Sequence, residues 1–328
     1  MLLKFILIPI ASSLLIYLAI AFGLVFSQRP QSQLSGTAFS FQSIKPAPEN
    51  HGFVHRTYTP RDGTALPVWH SPAQSKDAPL VIVIHGSGWH GGGYLGLAQG
   101  LAAAGDFEML VPDLRGHGLN PTPRGDVSYI GQFEDDLADL ITDFNADNRD
   151  VIMIGHSSGG GLVIRFAGGP HGALLSKAVL LAPFLKHNAP TMREKSGGWA
   201  HALTGRIIGL SMLNTLNITA LNSMTILQFN FPRAILDGAE GHTATLTYSY
   251  RLNTSFAPRN AYLDDIAKLP EFLLLVGEKD DAFYPEAFEP VMADVTANGT
   301  YQILANADHL GLINDLAAQA AILAFLAK

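Results

Sequence analysis

The chain has 328 residues, 48% of them hydrophobic and 15% charged. That suffices for one large domain or a domain with an insertion, since single α/β domains run to about 250 residues. The formal net charge of −7 is not gathered into a block, and no basic stripe or nucleic-acid motif is present. Charge therefore serves solubility, and nucleic acid is excluded as a partner. The absence of Cys excludes disulfides, thiolate metal sites and a Cys nucleophile.

From Phe5 to Phe26 the chain carries no charge; Lys4 precedes the run, and Gln28, Arg29 and Pro30 follow it. The run is long enough for a membrane-spanning helix of about 20 residues and longer than a signal core of about 7–15. No small-x-small cleavage pattern stands near Ser27. Residues 1–28 are expected to be a membrane anchor, with a cleaved signal segment as the alternative. Lys4 and the N-terminal amine place the N-terminus inside and the body outside, periplasmic or extracellular; cleavage would make the body a secreted protein. Residues 29–52, rich in Gln, Ser and Pro, read as a linker.

Phe53–Ser71 reads as a hairpin around Arg61-Asp62-Gly63. Strand and helix then alternate. Leu80–Ile84 is a short all-apolar run of the kind buried on both faces, and Phe107–Val111, Val151–Ile154, Ala178–Leu181, Phe272–Val276 and Tyr301–Leu304 read as further strands. Helical stretches fall at Tyr94–Ala104, Phe133–Phe144, from Gly161 to Ala167, and at Leu316–Leu326. The pattern predicts an α/β fold with a mostly parallel sheet covered on both faces. Residues 53–185 and 263–328 form the core in this reading. Residues 186–262 break the alternation and are expected to be an inserted, largely helical cap.

Gly155-His156-Ser157-Ser158-Gly159 is a G-x-S-x-G pattern. With 32 glycines in the chain the pattern alone says little. Its place, directly after a strand and directly before a helix, is what a nucleophile on a sharp turn requires. His85-Gly86-Ser87-Gly88 ends an earlier strand. A tetrahedral oxyanion needs two backbone N–H groups, here expected from Ser87 and Ser158. His85 and His90 lack a third ligand at metal spacing, so His85 reads as a residue that shapes its loop. Asp113-Leu114-Arg115-Gly116-His117-Gly118 reads as a structured turn, with Arg115 paired to a carboxylate. A base at His117 would precede the nucleophile in the chain.

A serine hydroxyl needs a base, and the base a carboxylate to orient it. His309 follows one predicted strand and is the candidate base. Gly277-Glu278-Lys279-Asp280-Asp281 follows another; Asp280 is favoured as the acid over Asp281 from its place three residues after Gly277.

The order Ser157, Asp280, His309 is that of α/β hydrolases. Together with His85–Gly88, Asp113–Gly118, Gly155–Gly160, Gly277–Asp280 and Asp308-His309, the chain resembles the lysophospholipase and monoacylglycerol-lipase branch of that superfamily. It is similar also to its serine aminopeptidase-like members. The resemblance covers about residues 53–328. It implies an eight-stranded sheet, a cap after the fourth of the strands named above, and hydrolysis through an acyl-enzyme. Ser158 stands where such lipases often carry Met.

The expected function is therefore a serine hydrolase cleaving small ester or lipid-like substrates, without cofactor or metal. The cap residues Trp199, Met212, Met224, Phe229 and Phe231 suit an acyl chain and equally suit the core of a small domain. A peptidase or amidase on the same triad would need a cap acid for a free amine; Glu194, Asp237 and Glu240 are the candidates. A non-catalytic binding module is the third reading.

Overall fold

The computed structural model describes residues 2–32, 34, 52–119, 123–145, 149–194 and 198–328, with the backbone alone for residues 2–7. Most of the expected linker lies outside the described residues.

A long helix α1 (Leu2–Phe26) opens the chain. Its stretch Ile8–Phe26, with a mean hydropathy of 2.3, is long and apolar enough to cross a membrane. The hairpin follows as β1 (Val54–Tyr58) and β2 (Leu66–Ser71). The alternating part contains β3 (Leu80–Ile84), α2 (Leu95–Ala104), β4 (Glu108–Pro112) and α3 (Gln132–Phe144). Next come β5 (Val151–His156), α4 (Ser158–Gly168) and β6 (Lys177–Leu181).

After β6 the chain leaves the sheet. It forms β7 (Ala200–Ala202), α5 (Thr204–Thr215), β8 (Thr225–Phe229), α6 (Arg233–Leu236), β9 (Thr247–Ser249) and α7 (Tyr250–Phe256). A short α8 (Tyr262–Ile266) leads back to β10 (Phe272–Gly277), α9 (Phe288–Ala293), β11 (Gly299–Leu304) and α10 (Leu316–Leu326).

The main sheet has eight strands in the order β1-β2-β4-β3-β5-β6-β10-β11. Only β2 runs against the rest, pairing antiparallel with both β1 and β4. The central strands β3, β5 and β10 are buried along their whole length, as near-continuous Val, Ile and Leu demand in a sheet covered on both faces. The chain steps from β3 outward to β4 and then returns to the other side of β3 with β5. The loops after β3 and β5 therefore diverge and leave a crevice at the carboxyl ends of the strands, where open α/β sheets bind ligands.

Residues 186–262 are helical at α5, α6 and α7, and carry in addition a three-stranded antiparallel sheet, β7-β8-β9. The sequence pattern gave no sign of that sheet: β7 and β9 are three residues each, and β8 pairs with β7 over more than twenty intervening residues.

Arg115 pairs with a carboxylate as expected, and the pair is deeply buried. Its guanidinium grips Asp136 of α3 in a two-pronged contact of 2.8 Å at each oxygen, with Asp62 on its outer side. Removing one partner of such a pair leaves a buried, uncompensated charge. Asp136→Ala is expected to lower stability by about 3–5 kcal/mol in urea unfolding; a loss under 1 kcal/mol would show that water reaches Arg115.

Candidate active site

Ser157 sits at the turn between β5 and α4 with a left-handed backbone, φ 53° and ψ −120°. Its amide donates to Leu181 O (2.9 Å), and its carbonyl accepts from Gly161 N (3.1 Å) and Phe184 N (2.9 Å), so three segments hold the strained turn. The flanking glycines are sterically required. A Cβ at Gly155 would stand 2.5 Å from Gly159 O, and one at Gly159 would stand 2.4 Å from Ile84 O. The spacing of the motif thus follows from how closely strand, turn and helix pack.

His309, in the loop after β11, reaches Ser157: its Nε2 lies 3.1 Å from Ser157 Oγ. Its Nδ1–H donates to Asp280 Oδ2 at 2.8 Å. The second oxygen of Asp280 accepts from the amides of Ala282 (2.9 Å) and Phe283 (2.8 Å). Of the two adjacent acids, then, Asp280 meets His309 and is 1% exposed, while Asp281 faces outward. Burial alone would push the His309 ring down. The Asp280 charge and hydrogen bond outweigh it and hold the ring above its ordinary value of 6.5. Burial likewise works against the charge on Asp280, but His309 and the two amides keep the carboxyl below its usual range.

Ser87, after β3, and Ser158, first residue of α4, face each other across the crevice, their hydroxyl oxygens 2.5 Å apart. The Ser158 amide lies in the first turn of α4, where N–H groups have no acceptor within the helix.

Two tyrosine–histidine pairs brace these loops. Gly86 N–H donates to Tyr94 Oη (2.9 Å), Tyr94 O–H to His156 Nδ1 (2.8 Å), and His156 Nε2–H to the carbonyl of His309 (3.0 Å). Burial, with the neighbouring His309, lowers His156 to about 3, so it is neutral and the direction of the chain is fixed. On the other side Gly88 N–H donates to Tyr248 Oη of β9, and Tyr248 O–H to His117 Nε2, both at 2.6 Å. Both ring nitrogens of His117 are thereby occupied, since its Nδ1–H is bound to Arg115 O (3.0 Å). His85 shapes its loop as expected: Nδ1–H donates to Gly86 O (2.9 Å), and Nε2 accepts from Leu114 N (3.1 Å). Among the described residues no group of three or more His, Asp or Glu stands at metal-binding geometry. His90 lies 3.6 Å from Glu240, and burial lowers it to about 4.

A cavity of about 30 Å³ lies beside Ser157, walled by Trp89, Tyr94, Trp199, Leu310 and Ile313. Of the apolar cap residues, Trp199 reaches this cavity. Phe229 stacks on Trp199 at 5.2 Å, and Phe231 packs between Trp199 (4.7 Å) and Trp89 (5.9 Å). Met212 and Met224 belong instead to a separate cluster between α1 and the inserted segment. Trp89, Tyr248, Leu310 and Ile313 carry no motif and were not legible as site residues. His156 and Tyr94 were on view, inside a motif and at a helix start, without a signal for their contact.

A family model described as the alpha/beta hydrolase family matches residues 81–322, and the chain belongs to that family. It is 38% identical over 102 residues to a non-heme chloroperoxidase of Kitasatospora aureofaciens, a match covering 31% of this chain and 36% of the relative. The chain spans between a quarter and about a third of the length of the curated relatives it matches first. Among solved structures it is similar to a soluble variant of monoglyceride lipase from Saccharomyces cerevisiae, determined with a substrate analog. That likeness has a TM-score of 0.64 at 19% identity and covers 86% of this chain and 97% of the other. A bacterial membrane phospholipase A, described as a virulence factor, aligns with a TM-score of 0.58 at 17% identity. It covers 99% of this chain and 97% of its own. At such identities the likeness is one of fold.

Proposed function

We propose that the chain is a carboxylic-ester hydrolase working through an acyl-enzyme on Ser157. The observation that carries this reading is the continuous run from Ser157 Oγ to His309 Nε2 (3.1 Å) and from His309 Nδ1 to Asp280 (2.8 Å). His309 takes the hydroxyl proton as Ser157 attacks the ester carbonyl. Asp280 fixes the tautomer and stabilises the imidazolium. The amides of Ser87 and Ser158 hold the oxyanion, with the N-terminus of α4 behind them. His309 then protonates the leaving alcohol, and water, deprotonated by the same ring, frees the acid. Side chains and backbone handle every proton and charge, so the chemistry asks for no cofactor. Residues 53–185 and 263–328 supply this machinery, and residues 186–262 cover it as a cap.

The cavity favours an ester over a peptide amine. None of the residues walling it is acidic. Glu194 is exposed, Asp237 pairs with Arg233, and Glu240 lies beside His90. With room for about two water molecules, the cavity takes the first carbons of an acyl chain, and a longer chain displaces Trp199. Across p-nitrophenyl esters from acetate to palmitate, kcat/KM is expected to be highest at the short end, and aminoacyl p-nitroanilides are expected to be turned over far more slowly than any short ester. Preference for the anilides would replace this reading with an aminopeptidase.

A further inference from the structure

The helix α1 is built into the fold rather than hung from it. Its C-terminal half lies alongside α5, antiparallel to it. Ala21 and Val25 are fully buried against Leu210, Leu213, Ile226 and Tyr250. The approach is a backbone one: a Cβ at Gly209 would stand 2.5 Å from Ala21 O and 2.8 Å from Val25 N. Tyr17 O–H, midway along an apolar helix, donates to Met212 O (3.0 Å) at the far end of α5.

The segment just past α1 is tied down as well. Arg206 is 6% exposed, and the groups its guanidinium meets are carbonyls: Val25 (3.1 Å) and Gln28 (2.5 Å) at the end of α1, and Thr225 (2.7 Å) at the start of β8. The Val25 carbonyl is one of the acceptors a helix C-terminus leaves unmet, at the negative end of its dipole. Gly205 N donates to Gln28 Oε1 (2.7 Å), and Gln31 and Gln228 exchange two hydrogen bonds of 2.7 and 2.8 Å.

The outer face is apolar along α1 and uncharged along α5, whose exposed residues are Thr204, Ile208, Ser211 and Thr215. Ile8, Ile10, Leu14, Leu15, Ile16 and Ile20 of α1 are exposed, and so are Ile208 (48%) and Leu216 (41%) on and just past α5. Arg206 is the one charged residue of α5, and it is buried. An apolar helix face of membrane-spanning length has a lipid bilayer as its natural solvent, and the uncharged face of α5 beside it, with Ile208 and Leu216 exposed, can meet the same surface.

We propose that α1 is retained in the working protein as part of the cap, and that α5 lies with it against the near leaflet of a lipid bilayer. Cleavage after residue 28 would strip two of its three carbonyl partners from the buried Arg206 and expose Leu210, Leu213 and Ile226 to water. The same tie reaches the active site, because Arg206 also holds β8, whose Phe229 stacks on the cavity wall at Trp199. The cap is thus seated on the membrane through its own anchor.

A chain without cysteine makes the test direct. Ile208→Cys, Leu216→Cys and, as an exposed control on the loop between β2 and β3, Lys76→Cys are made in the full chain. Each is reconstituted into phosphatidylcholine vesicles and labelled with a water-soluble maleimide, with melting curves in detergent to confirm folding. Expected are a chain whose mass includes α1 and a severalfold loss of labelling at positions 208 and 216 on moving from detergent to vesicles, with position 76 unchanged. Labelling at 208 and 216 as fast as at 76 in vesicles would overturn the proposal, as would a mature chain lacking α1. Protection that needs no lipid and grows with protein concentration in detergent would also overturn it, by assigning the face to a second copy. The readout involves no catalysis, so it stands or falls apart from the reaction proposed at Ser157.

Discussion

Replacing Ser157 with Ala is expected to lower kcat for a short ester by about 10⁶-fold while leaving the unfolding midpoint nearly unchanged. The size follows from how triads behave: removing the nucleophile costs about 10⁶ in a serine protease of comparable design, and the residual rate comes from binding and the oxyanion hole. The fold is spared because the turn is held by backbone hydrogen bonds from Leu181, Gly161 and Phe184, none of which involves the hydroxyl. The half-buried side chain fills no core position. Steady-state hydrolysis of p-nitrophenyl butyrate together with a thermal melt makes the check. A loss of activity accompanied by a collapse of the melt would mean that Ser157 is structural.

The second large effect is expected at Asp280. Asp280→Asn keeps the size of the side chain but takes away its charge, so the amide now offers a donor where His309 Nδ1–H needs an acceptor. The ring is then driven toward the wrong tautomer, and a loss of about 10⁴ in kcat is the measured scale for that change in a related triad. The pH profile gives the sign. His309 acts as base only when neutral, so activity rises with pH through its pKa. In the intact site Asp280 holds that pKa above 6.5, which places the acid limb above 6.5. Without the carboxylate, burial dominates and the limb of the residual activity moves to lower pH. A limb that stays in place, or moves up, would mean that Asp281 or Asp308 carries the interaction. Asp281→Asn, by contrast, is expected to leave kcat within a few-fold, since its carboxylate faces outward.

The places of Ser87, Ser157 and Asp280 were legible for a physical reason. In a sheet covered on both faces the strands are short and wholly apolar, as in Leu80–Ile84 and Phe272–Gly277. A polar residue one to four positions past such a run stands at the carboxyl edge whatever the rest of the chain does. Ser87, Ser157 and Asp280 are all read that way. Even the choice between Asp280 and Asp281 had a local basis, since Asp280 N bonds back to Gly277 O (3.1 Å) in a tight turn after β10.

What could not be read were contacts made between distant segments. Tyr248 touches Gly88 across 160 residues, and His156 touches His309 across 153. Both bonds depend on how the inserted segment and the last loop fold back, which no local pattern encodes. The run Phe5–Phe26 showed its length and hydropathy, but its seat on α5 depends on Gly205 and Gly209, whose role is visible only when the two backbones meet. The same holds for Trp89 and Trp199, isolated aromatics in sequence that together close the cavity beside Ser157.

The central claim is that one serine, activated by His309 and Asp280, carries the chemistry. The most direct measurement is reaction of the intact chain with a fluorophosphonate probe, followed by peptide mass mapping. The proposed mechanism predicts a single adduct on Ser157, formed at a rate that rises with pH along the same limb as ester hydrolysis, and no adduct in Ser157→Ala. Undiminished labelling of Ser157→Ala, or an intact Ser157 in a chain that still hydrolyses esters after full reaction with the probe, would contradict it.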